Sequence, residues 1–340
     1  MSFSLRAAAL LLGLATAFAC QATQVSVHDP VMAQDGGRYY LFSTGPGITF
    51  YSSADMLRWK PEGRVFAGQP AWAKRAAPGF NDHIWAPDIQ RHNGKFYLYY
   101  SVSGFGKNSS GIGVTVNQTL DVHAPNYRWE DQGMVLQSVP GRDDWNAIDP
   151  NIIEDDNGGA WMAFGSFWSG LKLVKLDASW TRLAEPQQWH AIARRAPAGA
   201  SAGASTEAGP GEIEAPYIFR KHGYYYLFAS WGLCCKGKDS TYRVVVGRAR
   251  DVTGPYFDRA GRDMAAGGGT LLLAGDQDWQ GVGHNSVYTM GGQDVMVLHA
   301  YESADTYRQK LKIMPIAWDQ DGWPTVDPKD LNGYVSEQQR

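Results

Sequence analysis

Residues 214–230 read EAPYIFRKHGYYYLFAS. An apolar run meets a turn at His222-Gly223, and an aromatic run follows. That is the pattern of a β-hairpin. The same phrase recurs along the chain. Residues 28–43 read HDPVMAQDGGRYYLFS, residues 85–101 read WAPDIQRHNGKFYLYYS, and residues 148–166 read IDPNIIEDDNGGAWMAFGS. A weaker fifth copy, HNSVYTMGGQDVMVLHA, occupies 284–300. The four prolines lie 57, 63 and 66 residues apart, and Ser286 follows 70 later. Between the hairpins lie further strand-like runs at 48–53, 111–116, 171–176 and 243–248. Each repeat therefore holds enough strand for a four-stranded blade. Five such units predict an all-β chain folded as a five-bladed β-propeller. A β-sandwich is the competing all-β reading. The repeat is too long for a parallel β-helix, and strong helical periodicity is missing.

Composition agrees. The chain has 340 residues, 44% of them hydrophobic and 19% charged, which suffices for a sizeable core. Its 39 glycines, 13 tryptophans and 17 tyrosines suit tight turns between aromatic strands. Lys and Arg total 31 against 34 acidic residues, a net charge of -3. That balance excludes a broad basic footprint for nucleic acid. Residues 1–19, MSFSLRAAALLLGLATAFA, read as a signal peptide cut before Cys20 or as late as residue 22. The mature chain, 20–340, is expected to be one exported, soluble propeller, secreted or periplasmic; lipidation at Cys20 is the competing expectation. No other run is long enough to span a bilayer. A monomer is expected.

In a propeller the first strand of each blade lines the axis. The pairs before each aligned Pro or Ser are then ring-mates: His28-Asp29, Trp85-Ala86, Ile148-Asp149, Glu214-Ala215 and His284-Asn285. Three blades thus aim Asp29, Asp149 and Glu214 at one mouth. Clustered carboxylates without a thiol or serine nucleophile point to glycoside hydrolysis. One carboxyl protonates the leaving oxygen, a second activates water or attacks, and a third holds the acid and raises its pKa. Trp85, Phe105, Phe167, Trp168 and Trp231 follow inner-strand segments and suit stacking on sugars. The three carboxylates with His284 also suit a hard cation. Cys234 and Cys235 are adjacent; they either close a ring or pack as two thiols, and metal binding there lacks partner ligands. The Ala/Gly-rich stretch 194–211 reads as a flexible loop beside Glu214.

These residues resemble glycoside hydrolase family 43 and, within it, the arabinanases. His28-Asp29-Pro30, Ala147-Ile148-Asp149-Pro150 and Glu212-Ile213-Glu214-Ala215-Pro216 look like the motifs carrying the general base, the third carboxylate and the general acid. Glu212 is a rival acid, but Glu214 holds the ring position. Trp85-Ala86-Pro87-Asp88, Ser103-Gly104-Phe105-Gly106, Gly165 to Gly170 and Cys234-Cys235-Lys236-Gly237 resemble arabinanases rather than xylosidases. The resemblance implies an inverting, endo-acting α-1,5-L-arabinanase acting on arabinan, the side chain of pectin. It implies Asp29 as base, Glu214 as acid and Asp149 as the residue that orients the acid. It implies substrate contacts at His28, Asp29, Trp85, Phe105, Gly106, Asn146, Ala147, Ile148, Ser166, Phe167 and Trp168. Gly283-His284-Asn285-Ser286 resembles the segment whose His faces a central ion, usually calcium. No organic cofactor is implied. An exo-acting arabinanase, arabinofuranosidase or β-xylosidase is the nearer alternative, and a non-catalytic sugar-binding propeller the farther one.

Overall fold

The structure is a computed structural model and describes residues 24–195 and 211–333. The expected signal peptide, Cys20 and most of the 194–211 stretch lie outside these residues. Five antiparallel sheets follow one another along the chain. Blade one runs Val31–Asp35, Arg38–Ser43, Thr49–Ser53 and Lys60–Arg64. Blade two runs His83–His92, Lys95–Val102, Ser110–Asn117 and Glu130–Ser138. Blade three runs Asn151–Glu154, Ala160–Phe164, Leu171–Lys175 and His190–Ala193. Blade four runs Ile213–Lys221, Tyr224–Trp231, Arg243–Ala249 and Thr270–Ala274. Blade five pairs Trp279–Met290, Gln293–Glu302 and Arg308–Pro315. There Leu311 N–H donates to the Val25 carbonyl, so the described N-terminal residues lie along the outer strand. The five-bladed expectation holds.

Both faces of each blade are buried, so the core is five seams rather than one centre. Alternation along the strands assigns side chains to seams. Phe96, Leu98 and Tyr100 pack toward Phe42 and Phe50 of blade one, whereas Tyr99 packs toward Met162 and Phe164 of blade three. The last seam closes the ring: Met290, Val297 and Ile313 meet Val25, Val27, Met32 and Trp59.

Each inner strand carries one residue in the left-handed region at the same place. These are Asp29 (φ 51°), Ala86 (42°), Asp149 (57°), Ala215 (54°) and His284 (50°). A non-glycine residue there costs roughly 1–2 kcal/mol, and its displaced N–H still needs an acceptor. The preceding blade supplies it every time. Asp29 N–H donates to His299 Nδ1 (3.2 Å), Ala86 N–H to Thr44 Oγ1 (2.8 Å) and Asp149 N–H to Ser101 Oγ (3.0 Å). Ala215 N–H donates to Asp149 Oδ2 (3.1 Å) and His284 N–H to Ser230 Oγ (2.8 Å).

This pattern corrects the expected register. Trp85, Glu214 and Gly283 stand opposite Ser101, Ser230 and His299. Asn285, not Ser286, therefore takes the place of the prolines, and the fifth ring pair is Gly283-His284. Asp29, Asp149 and His284 align with Ala86 and Ala215, while Glu214 aligns with His28, Trp85 and Ile148. The carboxylates come from two adjacent ring positions, not one. The sequence motif Asn-Ser hid the shift because it lacks the proline that marks the other copies.

A second tie crosses the seams one residue beyond the prolines. Buried Asp88 Oδ2 accepts Ile152 N–H (2.7 Å), and Asn151 Oδ1 accepts Ile218 N–H (2.8 Å). Burial pushes the Asp88 carboxyl up to about 6, against the hydrogen bonds that favour its charge. The fold then holds a proton that the unfolded chain releases, so stability falls as pH rises from about 4 to about 6 and is level above. Asp88→Asn keeps an acceptor for Ile152 and removes the titration. The gain in Tm of this variant over the parent should grow across that window and then plateau, in thermal unfolding at a series of pH values. A gap that does not change with pH would show that Asp88 is ionised throughout.

Candidate active site

The inner strands end at one mouth of the ring, where a cavity of about 870 Å³ opens. His28, Asp29, Asp149, Glu214 and His284 line it, with Trp85, Phe105, Gly106, Asn146, Ile148, Ser166, Phe167 and Trp168. Phe105 is 77% exposed on its loop, a flat apolar face at the rim. Two expected contacts fall elsewhere. Ala147 is fully buried in the seam between blades two and three, with its N–H on Ser138 Oγ. Trp231 lies under the Arg195 guanidinium at 4.9 Å and borders the seam between blades three and four, away from the mouth. The rival acid Glu212 is paired with Arg195 at 3.3 Å.

Asp29 is buried among three imidazoles. Its Oδ1 stands 2.7 Å from His28 Nδ1, 3.0 Å from His284 Nδ1 and 3.7 Å from His299 Nδ1. Its Oδ2 accepts the Thr44 hydroxyl at 2.5 Å. Burial alone would raise this carboxyl, but His28 and His284 outweigh it and hold Asp29 well below the usual carboxylate range. The reciprocal effect appears on His284: burial opposes its charge, yet Asp29 and the other carboxylates lift it to about 9. His299 goes the other way, because burial and the neighbouring His28 both disfavour its charge.

Glu214 is held by two hydroxyls. Ser166 Oγ donates to Oε2 at 2.6 Å, and the Tyr242 hydroxyl donates to Oε1. Burial and Glu214 push Tyr242 well above its ordinary value, so it stays a neutral donor. Asp149 does not touch the Glu214 side chain in this network. It grips the next residue, through Ala215 N–H. Burial, then Glu214 and Asp29, raise the Asp149 carboxyl against the pull of His284. The sequence reading placed the raised proton on Glu214; the structure puts that effect on Asp149. One ionised carboxylate and one proton-bearing carboxyl at one mouth are the parts for acid–base work.

Several partners were missed from sequence: Thr44, Tyr242, His299 and Tyr301. Thr44 and His299 do carry a signal, since with Ser101, Gly165 and Ser230 they end the second strand of every repeat. Tyr242 and Tyr301 carry none, being two of 17 tyrosines. Cys234 and Cys235 are joined in a disulfide that borders the same cavity. Being bonded, they are no metal ligands.

A cation beside His284 was the remaining expectation. Calcium takes six to eight oxygen ligands. The nearby carboxylates are already engaged by Thr44, Ala215 N–H, Ser166 and Tyr242. His284 has Nδ1 on Asp29, which leaves Nε2 for a metal. The donor set fits a cation held by one imidazole with water completing its shell, not one caged by protein oxygens.

Thr44 serves two blades with one hydroxyl, accepting Ala86 N–H while donating to Asp29. Thr44→Val should cost about 1–3 kcal/mol, because both partners stay buried and unpaired. Thr44→Ser should cost far less. Urea unfolding measures both; equal losses would assign the cost to the methyl group.

Three comparisons place this geometry among known proteins. The sequence profile of Glycosyl hydrolases family 43 matches residues 22–324. An extracellular exo-α-(1→5)-L-arabinofuranosidase of Cellvibrio japonicus is 60% identical over 324 residues, 95% of this chain and 93% of its own. An extracellular endo-α-(1→5)-L-arabinanase of Bacillus subtilis is 37% identical, covering 88% of this chain and 87% of its own. The structure of a Cellvibrio cellulosa α-L-arabinanase complexed with arabinohexaose superposes with a TM-score of 0.90, at 60% identity over 93% of this chain and 99% of that one.

Proposed function

The chain belongs to glycosyl hydrolases family 43, and on that footing we propose that it hydrolyses the α-1,5-L-arabinofuranosidic bonds of arabinan outside the cell. The observation that carries this reading is the convergence of Asp29, Asp149 and Glu214, from three blades, on one cavity with aromatic walls. Asp29, held ionised, is the general base that takes a proton from water. Glu214 is the general acid that protonates the leaving sugar oxygen. Asp149 orients it by fixing Ala215. The reaction inverts the anomeric centre, which requires the base and acid carboxyls to stand about 6.5–9.5 Å apart. Export is supported by the extracellular names of the relatives at 60% and 37% identity.

For the mode of attack, the more similar of those two relatives is named exo-acting and the other endo-acting. Identity therefore favours attack from a chain end. Internal attack, the expectation from sequence, is the second reading.

A product time course on linear α-1,5-arabinan tests all of this. One small product from the first minutes supports the exo mode; a ladder of oligosaccharides supports the endo mode. Asp29→Ala and Glu214→Ala should each lower kcat by about 10²–10⁴-fold or more. Proton NMR of the first product should show the anomer opposite to the substrate. Full activity in both variants would sink the role assignment, and binding without turnover in the parent would restore the sugar-binding reading.

A cation held at His284 would add positive charge to an axis that carries three carboxylates. We expect chelation to lower Tm by a few degrees and calcium to restore it. Hydrolysis lost at unchanged Tm would instead give the ion a part in the reaction.

A further inference from the structure

The backbone N–H of Cys235 donates to the Tyr301 hydroxyl oxygen at 3.0 Å. The same oxygen lies 2.8 Å from His28 Nε2. The other nitrogen of that ring, Nδ1, stands 2.7 Å from Asp29 Oδ1. The ends of this chain fix its middle. A backbone N–H can only donate, and an ionised carboxylate can only accept. Cys235 therefore occupies a lone pair of Tyr301, whose own proton is left to donate to Nε2. His28 must then carry its proton on Nδ1, facing Asp29. The opposite tautomer would set the Nδ1 lone pair against the carboxylate oxygen at 2.7 Å. Which ring nitrogen is protonated is decided by the hydrogen bond that the other makes.

We propose that Tyr301, seated by the N–H of Cys235 in the Cys234–Cys235 disulfide, is a positioning residue that locks His28 as the Nδ1–H tautomer and so orients the Asp29 carboxylate. The proposal rests on the reading of Asp29 as the base. Three observations set the disulfide into this role. Cys235 is held in the left-handed region (φ 64°). Its Sγ lies 3.6 Å from His28 Nε2. His28 is also stacked on His299 at 4.0 Å between centroids, so its ring plane is fixed and only its protons remain to be set. With Oδ1 ringed by three imidazoles, the base works through Oδ2, which keeps the lone pair that Thr44 does not take.

Side-chain ¹⁵N NMR of the full chain near pH 7 reads the tautomer directly. His28 should show a protonated Nδ1 and an unprotonated Nε2; an Nε2–H tautomer or a doubly protonated ring overturns the proposal without any variant. Tyr301→Phe should mix the two tautomers and lower kcat about 10- to 100-fold, with KM little changed. The double variant Cys234→Ser, Cys235→Ser should move both readouts in the same direction. An unaltered tautomer and kcat in Tyr301→Phe, with urea unfolding showing an intact fold, overturns the role of Tyr301. Asp29→Ala is the separate control: if it still hydrolyses arabinan, the reading of the base fails, whereas the wild-type His28 signal tests the lock by itself.

Discussion

The structure depends on five backbone N–H groups that no strand can satisfy. Turning one residue per inner strand into the left-handed region breaks the ladder at that point and exposes a donor to the axis. Buried donors without acceptors are costly. Each blade therefore needs its predecessor, and the ring is tied at its narrowest radius by Thr44, Ser101, Asp149, Ser230 and His299. The same turn lifts the side chains at these positions into the mouth. What closes the propeller is thus also what presents its chemistry.

That arrangement explains how nearby carboxyls acquire opposite character. Asp29 meets imidazoles on one oxygen and a hydroxyl on the other, and positive neighbours outweigh its burial. Asp149 meets Glu214 and Asp29, and like charges add to its burial. Neither outcome follows from residue type. Both follow from which blade stands next in the ring, since His299 and Tyr301 reach Asp29 across the closing seam.

The fold was legible in the sequence because its repeat is punctuated by prolines and glycine turns at nearly regular spacing. The three carboxylates were legible for the same reason, as positions in that repeat. What escaped was anything needing a register finer than one residue. Asn285-Ser286 looks like Ala-Pro shifted, and only the ladder between Gly283 and His299 shows where the break falls. Ala147 sits between cleft residues in sequence but faces the core, since a bend at Asp149 changes which side chains look inward. Partners such as Tyr242 arrive from third strands, whose sequences carry no mark of what they face.

Blade three departs from its siblings in one respect. Where the others end their second strand with a hydroxyl or an imidazole, it has Gly165. Its φ is 124°, and a Cβ there would stand 2.9 Å from the Gly170 carbonyl oxygen. No side chain can be restored at that site without moving the backbone, so Asp149 supplies the missing acceptor itself. Gly165 and Asp149 are therefore bound in evolution: a change at either is tolerated only with an answer from the other. A descendant of this protein that had lost its chemistry would be free to discard Glu214, yet selection for folding alone would still retain Asp149. An intact Asp149 is thus poor evidence that such a relative is still an enzyme.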